Sequence, residues 1–254
     1  MKIKKGETGR QQTGKMNIRR LSELILEYTF PPSLYCICCG NIIDETRTYN
    51  LCDYCMEHMG WTFDEVSVVN GLQILKCVEY GIYGRTLIFS LKYSDKKYIA
   101  GDIGKIMADR LNFSRVDFDF IVPVPLSRKK KSARGFNQSA LIGKYLGKET
   151  GKPMIENLLV RNREMSPMRG LSPEERKQNI RGAISLDKKV FNKYKDELCG
   201  KRILLIDDIY TTGSTAMECA GALNLTEPES IIFLAFAGRE FANDVEMRMD
   251  KLEY

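Results

Sequence analysis

The chain has 254 residues, 43% of them hydrophobic, and a formal net charge of +6. That length buries a full core in one moderate domain plus a small one, and no apolar run approaches the roughly 20 residues of a helical membrane span. Met1 to Arg20 carry seven Lys/Arg against one Glu, the whole formal excess, so the rest is balanced, which argues against a uniformly basic nucleic-acid-binding surface and leaves only local patches.

Residues 1–20 lack the apolar centre of a signal peptide and read as a disordered basic tail, with the cytoplasm as the expected compartment. Leu21, Leu24, Ile25 and Tyr28 have helical spacing, and Pro31-Pro32 ends that run. Next come Cys36-x2-Cys39 and Cys52-x2-Cys55, twelve residues apart, the spacing of a four-thiolate structural zinc site. Disulfides are the alternative, and a reducing compartment favours metal. Cys38 and His58 read as bystanders that could stand in for a ligand, while Cys77, Cys199 and Cys219 read as small buried hydrophobes.

Leu72 to Tyr83 alternates loosely and suggests a strand pair; Arg85 to Tyr93 and Ile99 to Leu111 read as helices, and Phe118 to Val124 as a strand. The strand runs into a loop with Arg128, Lys129, Lys130, Lys131 and Arg134, and Phe136 is the one aromatic residue beside it. Ala140 to Leu146 is expected in a helix, Leu158 to Val160 in a strand, and Pro173 to Ile180 in a helix capped by Ser172. The segment Arg161 to Arg181 between them is Arg-rich and poor in apolar residues.

Ile203-Leu-Leu-Ile-Asp-Asp-Ile-Tyr-Thr-Thr-Gly-Ser-Thr215 carries the most chemistry. A buried strand delivers Asp207 and Asp208 to a turn that opens a helix at about Ala216. A helix N-terminus with a Gly and free N–H groups attracts anions, and Thr211, Thr212, Ser214 and Thr215 add small donors. Two acids cannot face the same phosphate, so they reach a neighbouring diol or a divalent cation; a phosphorylated sugar satisfies both halves. An ordinary capped helix explains the apolar run and one hydroxyl, not the acid pair followed by four hydroxyls and a Gly. Ser230 to Ala237 supplies another buried strand. Alternating strands and helices predict an α/β fold with a parallel sheet and its site at the strands' carboxyl ends.

The thirteen-residue segment resembles the 5-phosphoribosyl-1-pyrophosphate (PRPP) signature of the type I phosphoribosyltransferases. Together with the four cysteines it resembles the ComF family, phosphoribosyltransferase-like proteins associated with DNA uptake. Tyr83-Gly-Arg85, Leu91-Lys-Tyr93, Ile121-Val-Pro-Val-Pro-Leu-Ser127, Arg134-Gly-Phe-Asn-Gln-Ser139 and Glu175-Arg176 with Asn179 extend the likeness from about Leu34 to Arg239. The resemblance implies a tail (1–20), a helix with a zinc module (21–61), a phosphoribosyltransferase-like domain (62–240) and a C-terminal tail (241–254). It implies that Asp207 and Asp208 contact the ribose, that Tyr210, Thr211, Thr212, Gly213, Ser214 and Thr215 hold the 5′-phosphate, and that Leu126, Ser127 and Arg128 face the diphosphate. It further implies Mg²⁺ with PRPP and a closing loop offering Arg161, Arg163, Arg169 and Arg176; the family's Gln is Met168 here. Two functions follow from the likeness. One is a phosphoribosyltransferase; the other is a non-catalytic module that binds single-stranded DNA or acts as a scaffold for DNA-uptake proteins.

Overall fold

The computed structural model describes residues 34–44, 46–93, 96–162 and 182–239. The expected helices at 21–28 and 173–180, both tails, and Arg163, Arg169 and Arg176 lie outside them. In chain order the regular elements are α1 (Asp53–Glu57), β1 (Val66–Val69), β2 (Leu72–Glu79), α2 (Ile82–Tyr93), α3 (Ile99–Phe113), β3 (Phe120–Pro123), α4 (Arg128–Arg134) and α5 (Gln138–Thr150). They continue with β4 (Leu159–Arg161), β5 (Ile184–Leu186), α6 (Lys188–Leu198), β6 (Arg202–Tyr210), α7 (Ser214–Leu223) and β7 (Ser230–Gly238).

The protein is α/β. Five strands lie in the order β1-β2-β7-β6-β3; all neighbours are parallel except the β1–β2 hairpin, and β4 and β5 form a separate antiparallel pair. Alternation along the strands splits the core. Leu204, Ile206, Leu234 and Phe236 face a cluster with residues of α2, α3 and α5, while Ile203, Leu205, Phe233 and Ala235 face α6, α7 and the β4–β5 pair. Both faces of the central strands are thus dry, which is why β6 and β7 read as continuous apolar runs.

Three local readings change. The expected strand pair in Leu72 to Tyr83 is one strand, whose partner β1 precedes it across Asn70 (φ 49°) and Gly71 (φ 80°). Two consecutive positive φ values make the tight turn that Asn-Gly favours. The basic segment after β3 is helical rather than a loop: Ser127 caps it by accepting from the Lys130 N–H, and Gly135 ends it at φ 78°. Cys199 is exposed at the end of α6, whereas Cys77 and Cys219 are buried as expected.

The cysteine module rests on the α3 side of the sheet. Ile37, Tyr49, Leu51 and Met59 join the same apolar cluster as α3. The Tyr49 hydroxyl donates to Asp109 (2.8 Å), Asn50 Nδ2 to Asp102 (3.0 Å), and Lys105 Nζ to the Thr48 carbonyl (2.8 Å). Arg110, wholly buried, ties α3 to the hairpin by donating to the carbonyls of Lys76 (2.8 Å) and Glu65 (2.5 Å). Those bonds satisfy a charge that would otherwise be costly to bury.

Candidate functional site

Strand lengths place the site. In the β3–β6 ladder Pro123 pairs with Ile206, and the Val124 N–H still donates to the Ile206 carbonyl. There β3 stops while β6 continues, so Asp207 and Asp208 emerge beside the segment Val124 to Ser127. A cavity of about 250 Å³ opens at this edge, and Leu126, Arg161, Asp207, Asp208, Thr211, Thr212 and Thr215 all line it.

The two acids are held differently. Asp207 Oδ1 accepts from Ser139 Oγ (2.7 Å) and from the Asp208 N–H (2.9 Å). Burial, and then the charge of Asp208, push its pKa up to about 7, against the pull of Ser139 and Lys92. Asp208 is buried, and its Oδ2 pairs with the Lys92 ammonium, brought from the last turn of α2. The rest of the wall is cationic: with Lys92, the cavity is lined by Lys130, Arg134 and Arg161, four cations against two acids. Lys130 is depressed by burial and then by Arg161, Arg134 and Lys92. Gln138 Nε2 and Arg161 Nε are buried donors without a hydrogen-bond partner. Two unsatisfied donors in a cationic cavity favour a ligand rich in acceptor oxygens.

The hydroxyl turn opens α7. Gly213 sits at φ 72°, and a Cβ there would lie 2.3 Å from the Tyr210 hydroxyl oxygen, so the turn needs glycine for conformation and for space. Tyr210 itself is buried beneath it, against Phe233 (5.5 Å between centroids), and burial pushes its hydroxyl up to about 12. Thr212 and Ser214 share a hydroxyl contact of 3.1 Å. Tyr210, Gly213 and Ser214 therefore shape the turn, while Thr211, Thr212 and Thr215 line the cavity. Ser127 is buried as the cap of α4, and Arg128 lines an adjoining cavity of about 310 Å³ that shares Leu126, Asn137 and Arg161 with the first.

Lys92, Gln138 and Ser139 are site residues that the sequence reading does not single out. Leu91-Lys-Tyr93 and Asn-Gln-Ser139 were the available signals. A further feature depends on tertiary approach: Arg134 lies 5.0 Å over the Tyr93 ring and donates to its hydroxyl (3.0 Å), and Lys97 lies 5.1 Å over Phe136. Aromatic rings are thus interleaved with the basic helix after all.

At the other end the Sγ atoms of Cys36, Cys39, Cys52 and Cys55 all lie within 4.8 Å of one another, a cluster compatible with structural zinc. Burial opposes ionisation of Cys36, but the backbone amides of Cys39, Cys52 and Cys38 outweigh it and bring the thiol down to about 7. Cys38 is pushed up to about 11 by burial and stays outside the cluster, as does His58, which stacks on Tyr54 (4.2 Å).

No family model matches the chain. It is 35% identical over 111 residues to competence protein F of Haemophilus influenzae, covering 44% of this chain and 46% of that protein. It is 30% identical over 142 residues to the DNA utilization protein YhgH of Escherichia coli (54% and 59%), and 32% over 114 to competence protein ComFC of Bacillus subtilis (44% and 42%). The chain spans about half the length of the curated relatives it matches. Among solved structures, the glutamine PRPP amidotransferase of Bacillus subtilis aligns at TM-score 0.39 and 17% identity, over 59% of this chain and 30% of that one. The adenine phosphoribosyltransferase of Leishmania tarentolae aligns at 0.36 and 14%, over 59% and 74%. Over those stretches the chain is similar in sequence to proteins named for competence and DNA utilization, the likeness its motifs anticipate.

Proposed function

We propose that the cavity at the end of β6 binds a 5-phosphoribosyl ligand, PRPP, as a phosphoribosyltransferase-like protein of the ComF type involved in DNA uptake. The observation that carries this reading is the juxtaposition of an adjacent acid pair, Asp208 buried and Asp207 half-buried, with the Thr211–Thr215 turn in one cationic cavity. The turn's amides and hydroxyls suit a 5′-phosphate, the carboxylates accept from ribose hydroxyls, and Lys130, Arg134 and Arg161 offset a diphosphate. In a transfer reaction the C1–O bond breaks and its electron pair leaves with the diphosphate; a nucleophilic nitrogen then bonds to C1. The acids face the positive charge that grows on the ribose, and the cations face the leaving group, which is the useful distribution of charge. The resemblance brings Mg²⁺ with PRPP, but both carboxylates already have partners within the protein, a poor fit to a divalent ion.

A second reading, binding of single-stranded DNA, is favoured by the ring–cation contacts around α4. Lys97, Phe136, Arg134 and Tyr93 line a cavity of about 530 Å³ that shares Lys92 and Lys130 with the acid cavity, and bases stack on such rings. We also infer that Cys36, Cys39, Cys52 and Cys55 hold a structural Zn²⁺. Four thiolates at about 2.3 Å set sulfur–sulfur edges of about 3.8 Å, and Cys39 and Cys52 stand at 3.6 Å. Four protein ligands leave no open position, so the ion serves folding rather than chemistry.

Calorimetric titration is expected to show PRPP binding to the wild type and a loss of about tenfold or more in Asp207→Asn/Asp208→Asn; equal binding by both would remove the acids from the site. Asp207 also gives a pH signature. Its carboxyl is raised in the folded state, so its contribution to stability is full below the unfolded pKa of about 4 and is lost as pH rises towards 7. Asp207→Asn should therefore melt higher than wild type at pH 8, and its stability should fall less between pH 4 and 7; an unchanged profile would contradict the burial of that charge. Purified protein should carry about one zinc per chain, and Cys39→Ser/Cys52→Ser should lose it and speed amide exchange in 34–61 while β6 and β7 stay protected. Loss of protection throughout would mean that module and sheet fold as one unit. An oligothymidylate should bind with an affinity that falls with salt, and Arg128→Gln/Lys129→Gln/Lys131→Gln should flatten that slope by about 0.7 per lost phosphate contact. Salt-insensitive or absent binding would leave the metabolite reading alone.

A further inference from the structure

We propose that the Lys92 ammonium takes the place of a divalent cation beside the acid pair, so that this site holds its phosphoribosyl ligand without metal. The inference rests on the phosphoribosyl reading and says how the site balances its charge.

Four observations support it. First, Asp208 Oδ2 is buried against the Lys92 ammonium, its ion-pair partner; the two side chains are only 10% and 16% exposed. A metal at that oxygen would have to displace the ammonium and leave that largely covered cation without its partner. Second, Asp207 Oδ1 already receives two hydrogen bonds, from Ser139 and from its own neighbour's N–H. Third, a magnesium ion needs near-octahedral oxygen ligation from carboxylates, waters and ligand phosphates. The carboxylates the cavity offers it are Asp207 and Asp208, each with one oxygen already engaged inside the protein. Fourth, the cavity already has more cations than acids, so the charge a divalent ion supplies to a diphosphate is present in side chains.

The position of Lys92 is fixed from behind. It leaves the final turn of α2, where the next residue, Tyr93, is held by the Arg134 guanidinium and by the Phe89 ring at 4.7 Å. An ammonium carried on a secured helix end is pre-organised for one place, which limits the entropy lost when a ligand arrives. The ribose hydroxyls would then share Asp207 and Asp208 with an ammonium that remains in place, while the diphosphate faces Lys130, Arg134 and Arg161.

The test is calorimetry of PRPP, and in parallel of ribose 5-phosphate, in resin-treated buffer with and without excess Mg²⁺; resin treatment of the buffer spares the cysteine site, which a strong chelator would strip. Wild-type affinity for PRPP should agree within about threefold between the two conditions. Lys92→Gln should lose about tenfold or more without Mg²⁺ and recover with it, whereas Lys92→Arg, which keeps the charge, should remain indifferent to the metal. If the wild type binds PRPP only with Mg²⁺ while ribose 5-phosphate binds in both buffers, the inference fails and the phosphoribosyl reading stands. If Lys92→Gln binds as tightly as wild type without metal, Lys92 has no such role. Failure of both ligands in every buffer would overturn the phosphoribosyl reading and the inference together. Should Lys92→Gln not fold by circular dichroism, the wild-type comparison and Lys92→Arg still decide.

Discussion

Two adjacent carboxylates at the end of a buried strand are expensive to keep, and much of the surrounding structure is arranged around that cost. Burial favours the neutral acid, and each charge raises the pKa of the other. The protein answers with different partners for the two: a hydroxyl and a backbone amide for Asp207, an ammonium for Asp208. Ser139 reaches its position because Asn137 caps α5 through its side chain and anchors it to the Val124 carbonyl at 3.0 Å. Lys92 reaches its position because the last turn of α2, where Phe89 packs on Tyr93, is tied to Arg134 through the Tyr93 hydroxyl.

The sheet supplies the geometry for this balance. Strands buried on both faces cannot shift register without exposing apolar side chains, so the end of β6 is a fixed platform. β3 stops one ladder position before Asp207, and the step between the strands makes room for the cavity. Helix α7 begins immediately beyond, so the Thr211–Thr215 turn, the acid pair and the α4 cations Lys130 and Arg134 line one cavity.

What was legible in the sequence is what is local in the chain. The strand–acids–hydroxyl–Gly run and the two Cys-x2-Cys pairs carry their geometry within a few residues: Asp207, Asp208, Thr211, Thr212 and Thr215 line one cavity, and the four thiols cluster. Lys92, Gln138 and Ser139 were not legible as site residues, because their roles depend on helix packing across stretches of some 70 to 116 residues. The link from Ser139 to Asp207 spans 68 residues by itself. Tyr93 beside Arg134 is the same kind of case, and it reverses the impression that the basic run has only Phe136 for company. The helix over Arg128–Arg134 was masked by its charges, since five cations read as a solvated loop; its capping residues, Ser127 and Gly135, were the signal. Asn70-Gly71 is an equally plain hairpin signal for β1, local to the chain like the caps.

The central claim is that one cavity takes a phosphate at the Thr211–Thr215 turn and a ribose at the acid pair. A crystal structure with ribose 5-phosphate tests it most directly. The account predicts the phosphate within hydrogen-bond distance of the turn's amides and hydroxyls, with the ribose hydroxyls on Asp207 and Asp208 and Lys92 still paired to Asp208. Density for the ligand elsewhere on the protein, with the cavity at β6 empty, would contradict it.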